Sequence, residues 1–239
     1  MAVPMNIMDF QNKTEARQRT SPTFLFRLMQ WILMEFKFDQ QKKIITFNRE
    51  LSYLDKLTIK FTQILNENKI KYVIISGYIA ILFGRSRQTE DIDLFIETLS
   101  EEKFVDLWNA LKQKNFECIN AFSPKEALHE YLENKTSIRF GLNGEWNPNF
   151  EVKYAQDKHN NYSLAHPILV MLNDYELYTS EIELQIAFKL KLGSDKDFED
   201  AKHLYLTFKN YLNLAQLKYH IYDLNVTKIA ERILWTDCD

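Results

Sequence analysis

One short apolar run that carries two acidic side chains is the feature that most constrains the fold of this chain. The run, Asp91 to Ile96, reads DIDLFI, and its branched and aromatic residues predict a buried β-strand. Because side chains alternate along a strand, Asp91 and Asp93 share one face and Ile92 faces the core. Burying bare carboxylates costs several kcal/mol. Either the acidic face is open to water, as on a solvated edge strand, or a cation is expected there.

The segments around this run predict a mixed α/β region. A buried strand in KYVIIS, Lys71 to Ser76, leads into a short helix that ends at Gly84, and a serine-capped helix begins after Ser100. From Thr179 onward the spacing is mostly helical. The other predicted elements are a helix in Leu51–Asn66, a strand in FECI, a helix with Pro124 at its first position, and a hairpin of TSIRFGL and NFEVKYA.

The composition suits one sizeable core with a helical extension. The chain has 239 residues, of which 46% are hydrophobic and 26% charged. We therefore predict the α/β (α+β) class: an N-terminal extension over residues 1–44, a core with a short mixed sheet flanked by helices over 45–175, and a helical C-terminal region over 176–239.

The apolar segment Thr23–Phe36 leaves two interpretations open. It is too short to span a bilayer and begins too late for an ordinary signal peptide, so it predicts an amphipathic helix packed on the domain or on a partner. Alternatively, translation begins at Met34 and the preceding residues are not part of the native product. A partner-binding role for Phe24 to Phe38 is a further possibility.

Charge and cysteine content exclude several classes of protein. The net charge of −3 does not fit a generic polyanion binder. Cys118 and Cys238 form no disulfide framework, so we expect a reducing, cytoplasmic location and no membrane association. The histidines show no metal-ligand spacing with either cysteine, which argues against a zinc site.

The two aspartates lie close to a feature that suits phosphate. Carboxylates roughly 6–7 Å apart on one strand face can reach one or two Mg²⁺ ions, which prefer oxygen ligands. Upstream, Ser76-Gly77 opens the short helix, whose free N–H groups suit a phosphate, and Gly77 permits close approach of the backbone. Arg85 and Arg87 follow in a polar loop, either as surface charges or as phosphate contacts.

The stretch SGYIAILFGRSRQTEDIDLFIE, Ser76 to Glu97, resembles the signature of the nucleotidyltransferase superfamily related to DNA polymerase β, and its fuller form resembles the AbiEii-type group of minimal nucleotidyltransferases. The order Ser76-Gly77 departs from the usual Gly-Gly or Gly-Ser pair. A second stretch, Glu181 to Tyr205, looks like that group's downstream helical motif. The resemblance covers residues 70–210 discontinuously.

The resemblance implies a polymerase-β-like core and a set of site residues. Asp91 and Asp93 would hold Mg²⁺ or Mn²⁺, and a third carboxylate, with Glu151 as the first candidate and Asp157 as the fallback, would complete the metal site. The residues implied in binding the triphosphate or lining the cleft are Ser76, Gly77, Arg87, Lys189, Lys196, Asp197 and Asp200. Helix capping is the more ordinary role for Asp197, because Ser194 and Asp197 form a capping pattern.

The implied activity is transfer of a nucleoside monophosphate from a nucleoside triphosphate, such as ATP, to an RNA, a protein or a small molecule. A role in toxin–antitoxin pairs or phage defence, with an antitoxin-like partner, follows from the resemblance alone. The alternative from another class is a catalytically inactive nucleotide-binding or regulatory module with the same fold.

Overall fold

A mixed β-sheet organises residues 36–235, the part of the chain that the computed structural model describes. Its strands are β1 Lys37–Asp39, β2 Ile44–Phe47, β3 Tyr72–Ile75, β4 Asp91–Ile96, β5 Phe116–Cys118, β6 Ile138–Leu142, β7 Asn149–Tyr154, β8 Ile168–Leu172 and β9 Tyr175–Thr179. Their order in the sheet is β1-β2-β8-β9-β3-β4-β7-β6-β5. The pairs β2·β8, β3·β9 and β4·β7 are parallel and the others antiparallel, so the predicted mixed α/β class is confirmed.

Helices flank this sheet. They are α1 Tyr53–Glu67, α2 Gly77–Leu82, α3 Glu101–Gln113, α4 Pro124–Glu126, α5 Lys158–Ala165, α6 Ile182–Leu192, α7 Asp195–Phe208, α8 Leu214–Asp223 and α9 Thr227–Leu234. A π-helical segment, Ala127–Leu132, continues α4. Serine side chains cap α1, α3 and α4, because each hydroxyl accepts from a free backbone N–H of the first turn, and the cap of α3 is the one that the sequence predicts. None of the helices within residues 36–235 combines the length and apolar character needed to cross a membrane.

An aromatic core covers one face of the central strands, and the opposite face carries the acidic residues together with a smaller apolar cluster of Val73, Phe95 and Ala155. Phe61 of α1 stacks on Phe150 of β7 with ring centroids 4.0 Å apart, and Trp108 of α3 packs edge-on against Phe140. Since Phe150 alternates with Glu151 along β7, the covered face is the one opposite the acidic residues. Packing against α1 and α3 therefore determines which way the carboxylates point.

The sheet is larger than the short sheet that the sequence predicts. The hairpin β8–β9 turns at Asn173, whose φ is 53°, and β2 joins its outer edge. These strands were not predicted individually. From Lys37 onward the described residues form one compact unit, and the predicted division at residues 44/45 and 175/176 stays a prediction. Apart from Phe36, the apolar segment Thr23–Phe36 lies outside the described residues.

Candidate active site

The register of β4 against β7 brings the three predicted carboxylates onto one sheet face. In this parallel pair Asp91 lies opposite Asn149 and Asp93 lies opposite Glu151. Neighbouring strands are about 4.8 Å apart, and residues directly opposite each other point to the same side. Asp91 and Asp93 of one strand and Glu151 of the next therefore form an acidic cluster on the face that the aromatic core leaves uncovered.

Asp93 is the most perturbed member of this acidic cluster. Its burial, and next the negative charge of Asp91, raise its pKa from 3.8 to about 6. Glu151 adds to the increase, while Lys153 and a hydrogen bond from the Ser76 side chain oppose it. The protein thus holds a carboxylate where ionisation is unfavourable, and a cation bound between the carboxylates would remove that cost.

Glu151 is held differently from the two aspartates. Its oxygens lie 2.5 Å from Lys153 Nζ and 2.9 Å from Arg139 Nη2. Although burial opposes ionisation, the hydrogen bonds from Lys153 and Arg139 keep the pKa of Glu151 below its ordinary value. In the range 36–235, no group of three His, Cys, Asp or Glu side chains is gathered closely enough to hold a metal ion. A metal bound by all three carboxylates requires Glu151 to turn away from these cations.

The junction between β3 and α2 lies beside the acidic cluster. Ile75 at the end of β3 pairs with Asp93, so the following residue, Ser76, reaches the carboxylate. Ser76 has φ 63° and ψ −133°, a conformation that favours glycine. Its N–H donates to Gln185 Oε1 of α6 at 2.7 Å. The non-glycine residue of the Ser76-Gly77 pair thus carries the unusual backbone.

Gly77 leaves room for a close approach by a side chain of the protein itself. A Cβ on Gly77 would lie 2.2 Å from Arg87 Nη2. The Arg87 guanidinium continues past Gly77 to Asp200 Oδ2, at 3.0 Å. The structure therefore gives Gly77 a packing reason that the sequence prediction did not include.

Lys189, predicted to help bind phosphate, is buried and contacts two carboxylates. Only 3% of its side chain is exposed, and its Nζ lies 2.7 Å from Asp197 and 3.1 Å from Asp200. Asp200 is fully buried and also pairs with Arg85, at 2.7 Å. Asp200 is thus the centre of an ion-pair network that joins α6, α7 and the loop after α2.

The remaining predicted residues lie outside the acidic cluster. Asp197 accepts from the Ser194 hydroxyl at the start of α7, in agreement with its capping pattern. Lys196 is exposed in the first turn of the same helix. Asp157 is exposed beyond the end of β7 and caps α5 through Asn160 N, so Glu151 is the better placed third carboxylate.

Two further residues belong to the site although the sequence interpretation did not assign them a role. Lys153 follows Glu151 by two positions, and strand alternation predicts that the two share a face. Arg139 reaches Glu151 because the β6–β7 register sets them opposite each other. The β6–β7 register depends on the loop that joins the two strands, so no local sequence signal identifies Arg139 as a partner of Glu151.

Comparisons with known proteins give matches in fold only. No family model matches the chain, and neither does any curated protein. Among solved structures, an antigenic nucleotidyltransferase-like protein from Paracoccidioides brasiliensis is 16% identical with a TM-score of 0.48, over 84% of this chain and 96% of that one. ANT(2")-Ia in complex with adenylyl-2"-tobramycin is 11% identical with a TM-score of 0.47, over 73% and 98%.

Proposed function

We propose that this chain is a nucleotidyltransferase that uses a divalent cation to transfer a nucleoside monophosphate from a nucleoside triphosphate to an acceptor hydroxyl. The observation that carries the proposal is the acidic cluster, in which Asp91, Asp93 and Glu151 share one face beside the strand–helix junction at Ser76. In this reaction the acceptor oxygen forms a bond to the α-phosphorus, the bond to the β-phosphate oxygen breaks, pyrophosphate leaves, and a base takes the hydroxyl proton.

The chemistry of the acidic cluster fits Mg²⁺ or Mn²⁺. Hard divalent cations prefer carboxylate oxygens, and the pKa of Asp93 is raised by its burial first and by the charge of Asp91 next, so a bound cation would favour its ionised form. Asp91 and Asp93 would hold the ion, with Glu151 joining them. Such an ion would neutralise the triphosphate and polarise the α-phosphate.

The protein's own groups would orient the reactants. Ser76 and Gly77 border the cluster at the point where the triphosphate would lie, and the Arg87 guanidinium lies against Gly77. Lys153 and Arg139 hold Glu151 ionised, which suits a metal ligand better than a proton acceptor. The proposal includes a role for Lys189 and Lys196 in nucleotide binding. It also includes an antitoxin-like partner and a cytoplasmic location.

A second candidate function rests on the ion pairs of Glu151. Because Arg139 and Lys153 both contact this carboxylate, the fold also suits a nucleotide-binding or regulatory module that does not catalyse transfer. The two candidates differ in one measurable property, since only the first releases pyrophosphate.

The test is a transfer assay with the full chain. Purified protein is incubated with Mg²⁺, each α-labelled nucleoside triphosphate in turn, and total RNA, a protein extract or a small-molecule extract. We expect label on an acceptor, and we expect the double variant Asp91→Asn/Asp93→Asn to abolish it. Asp106→Asn, at an exposed position of α3, is the matched control and should transfer normally. Equal transfer by the double variant would overturn the site assignment, whereas nucleotide binding without pyrophosphate release would favour the second candidate.

A further inference from the structure

Asn149 is a buried side chain beside the acidic cluster, and its amide oxygen has no partner in the protein. It is the first residue of β7, and only 7% of it is exposed. Within residues 36–235 no donor forms a hydrogen bond to its Oδ1, which is itself buried. The large majority of buried side-chain acceptors are hydrogen-bonded, because leaving one unpaired is costly. The unpaired oxygen therefore requires a physical reason.

The register of β4 against β7 brings this oxygen to the acidic cluster. Asn149 lies directly opposite Asp91 on the neighbouring strand. Residues that lie opposite each other point to the same side of a sheet, and residues two apart on one strand share a face. Asn149 is therefore on the face that carries Asp91 and Glu151. Asp91 is only partly buried, so an ion in solution can reach this end of the cluster.

The contacts of the amide nitrogen determine which way the oxygen points. Asn149 Nδ2 donates to the backbone oxygen of Glu90 at 3.2 Å and lies 3.5 Å from the backbone oxygen of Trp146. Because carbonyl oxygens only accept, the nitrogen rather than the oxygen must face them. The oxygen is turned away from both carbonyls, and its neighbour across the sheet on this face is Asp91. A role in holding the backbone thus explains the nitrogen and not the oxygen.

A divalent cation is the partner that best fits this oxygen. Amide oxygens are neutral ligands that hard cations such as Mg²⁺ and Mn²⁺ accept beside carboxylates. Asp91 and Asp93 supply two carboxylates on the same face. A hydroxyl group of a ligand would also satisfy the oxygen, but it would leave the repulsion between the two carboxylates in place. A divalent cation removes that repulsion and satisfies the amide at once.

We infer that Asn149 binds, through Oδ1, the divalent cation that Asp91 and Asp93 hold. This inference rests on the proposed function, because it adds a ligand to the same ion. Glu151 is held by ion pairs with two basic side chains. With Asn149 the ion has a third protein ligand while Glu151 keeps both of these ion pairs.

Manganese binding in the absence of nucleotide tests this assignment without any transfer reaction. Mn²⁺ is titrated into the full chain, and free Mn²⁺ is measured by electron paramagnetic resonance. We expect the parent chain to bind Mn²⁺ and the double variant Asp91→Asn/Asp93→Asn to lose this binding. Asn149→Leu, which removes the oxygen at similar size, should weaken binding by at least about fivefold. Asn149→Asp, which keeps an oxygen and adds charge, should tighten it by at least about fivefold.

Asn147→Ala is the matched control for the loop before β7. Asn147 Oδ1 lies 3.4 Å from Asn149 Nδ2, so its removal alters a contact of the nitrogen and leaves the oxygen in place. Its Mn²⁺ affinity should stay within about twofold of the parent value. A purely structural role of Asn149 predicts no gain in affinity with aspartate, because neither aspartate nor leucine can donate to the Glu90 carbonyl.

A nuclear magnetic resonance measurement on the parent chain avoids substitution altogether. Mg²⁺ added to the isotope-labelled full chain should shift the side-chain amide signal of Asn149 more than that of Asn147, because a metal bound to the oxygen polarises the whole amide group. An Asn149 signal that does not shift would overturn the inference, even if the leucine variant fails to fold.

The outcomes separate this inference from the proposed function. If Mn²⁺ binding depends on Asp91 and Asp93 but the leucine variant binds like the parent, or the aspartate variant binds no more tightly, Asn149 is not a ligand and the proposed cation site stands. If the parent chain shows no Mn²⁺ binding that depends on the two aspartates, the cation of the proposed function is wrong and the inference is wrong with it.

Discussion

Asparagine in place of Asp93 should make the protein more stable while removing the proposed transfer activity. The ordinary pKa of this carboxyl is 3.8 and its pKa in the folded protein is about 6. A difference of roughly 2 units corresponds to about 3 kcal/mol, at about 1.4 kcal/mol per unit. Because a buried amide also needs hydrogen-bond partners, we expect Asp93→Asn to raise the free energy of unfolding by about 1 to 3 kcal/mol.

The size of this effect depends on pH. The folded state binds a proton at Asp93 more tightly than the unfolded state does, so this carboxyl lowers stability as the pH rises from 3.8 to about 6. Below that window Asp93 is protonated in both states and the substitution should change little. Above about pH 6 the full increase in the free energy of unfolding by asparagine should appear.

Urea unfolding followed by circular dichroism measures this difference. The comparison is made at about pH 8 and about pH 3 in the presence of a chelator, above and below the window in which Asp93 titrates. Asp106→Asn, which alters an exposed carboxylate on α3, should stay within about 0.5 kcal/mol of the parent chain. Mg²⁺ should stabilise the parent chain and reduce the advantage of the variant. A variant less stable than the parent at the higher pH would refute the reasoning.

Three further substitutions test the surroundings of the acidic cluster. Ser76→Gly should raise the free energy of unfolding by about 1 kcal/mol, because relief of about 1–3 kcal/mol of backbone strain exceeds the entropy cost of glycine. A lower melting temperature of the variant would contradict this prediction. Asp200→Asn should lower the free energy of unfolding by at least about 3 kcal/mol, measured in urea, because buried cations lose their partner. The control Asp195→Asn should cost under about 1 kcal/mol, and equal losses in the two variants would contradict the ion-pair network. Tyr78→Phe should cost about 1 to 3 kcal/mol, because its hydroxyl donates to buried Asp55 at 2.8 Å; an unchanged urea midpoint would exclude that role.

Local patterns account for the parts of the fold that the sequence predicts well. The β4 run, the β6–β7 hairpin and the serine caps each depend on residues within a few positions of one another. Strand alternation alone set Asp91 and Asp93 on one face, and the same rule placed Glu151 with Lys153. These signals are local because backbone geometry determines them directly.

The remainder of the site depends on contacts between distant parts of the chain. Arg87 reaches Asp200, more than 100 residues away, and their pairing explains the small residue at position 77. Lys189, which the resemblance implied in the nucleotide cleft, is buried and pairs with Asp197 and Asp200. A sequence shows that a buried charge requires a partner, but only the packing of α6 on α7 identifies it.

Two energetically unfavourable features meet at the junction of β3 and β4. Ser76 adopts a backbone conformation that favours glycine, and the neighbouring Asp93 is an acid whose ionisation is opposed by its surroundings. Nearby charges such as Glu151 and Asp200 are, by contrast, paired with cations. Strain and unfavourable charge persist where function requires them, while a structural charge is paired. The contrast supports the proposal that the reaction takes place at the β3–β4 junction, with the Asp200 network as its structural support.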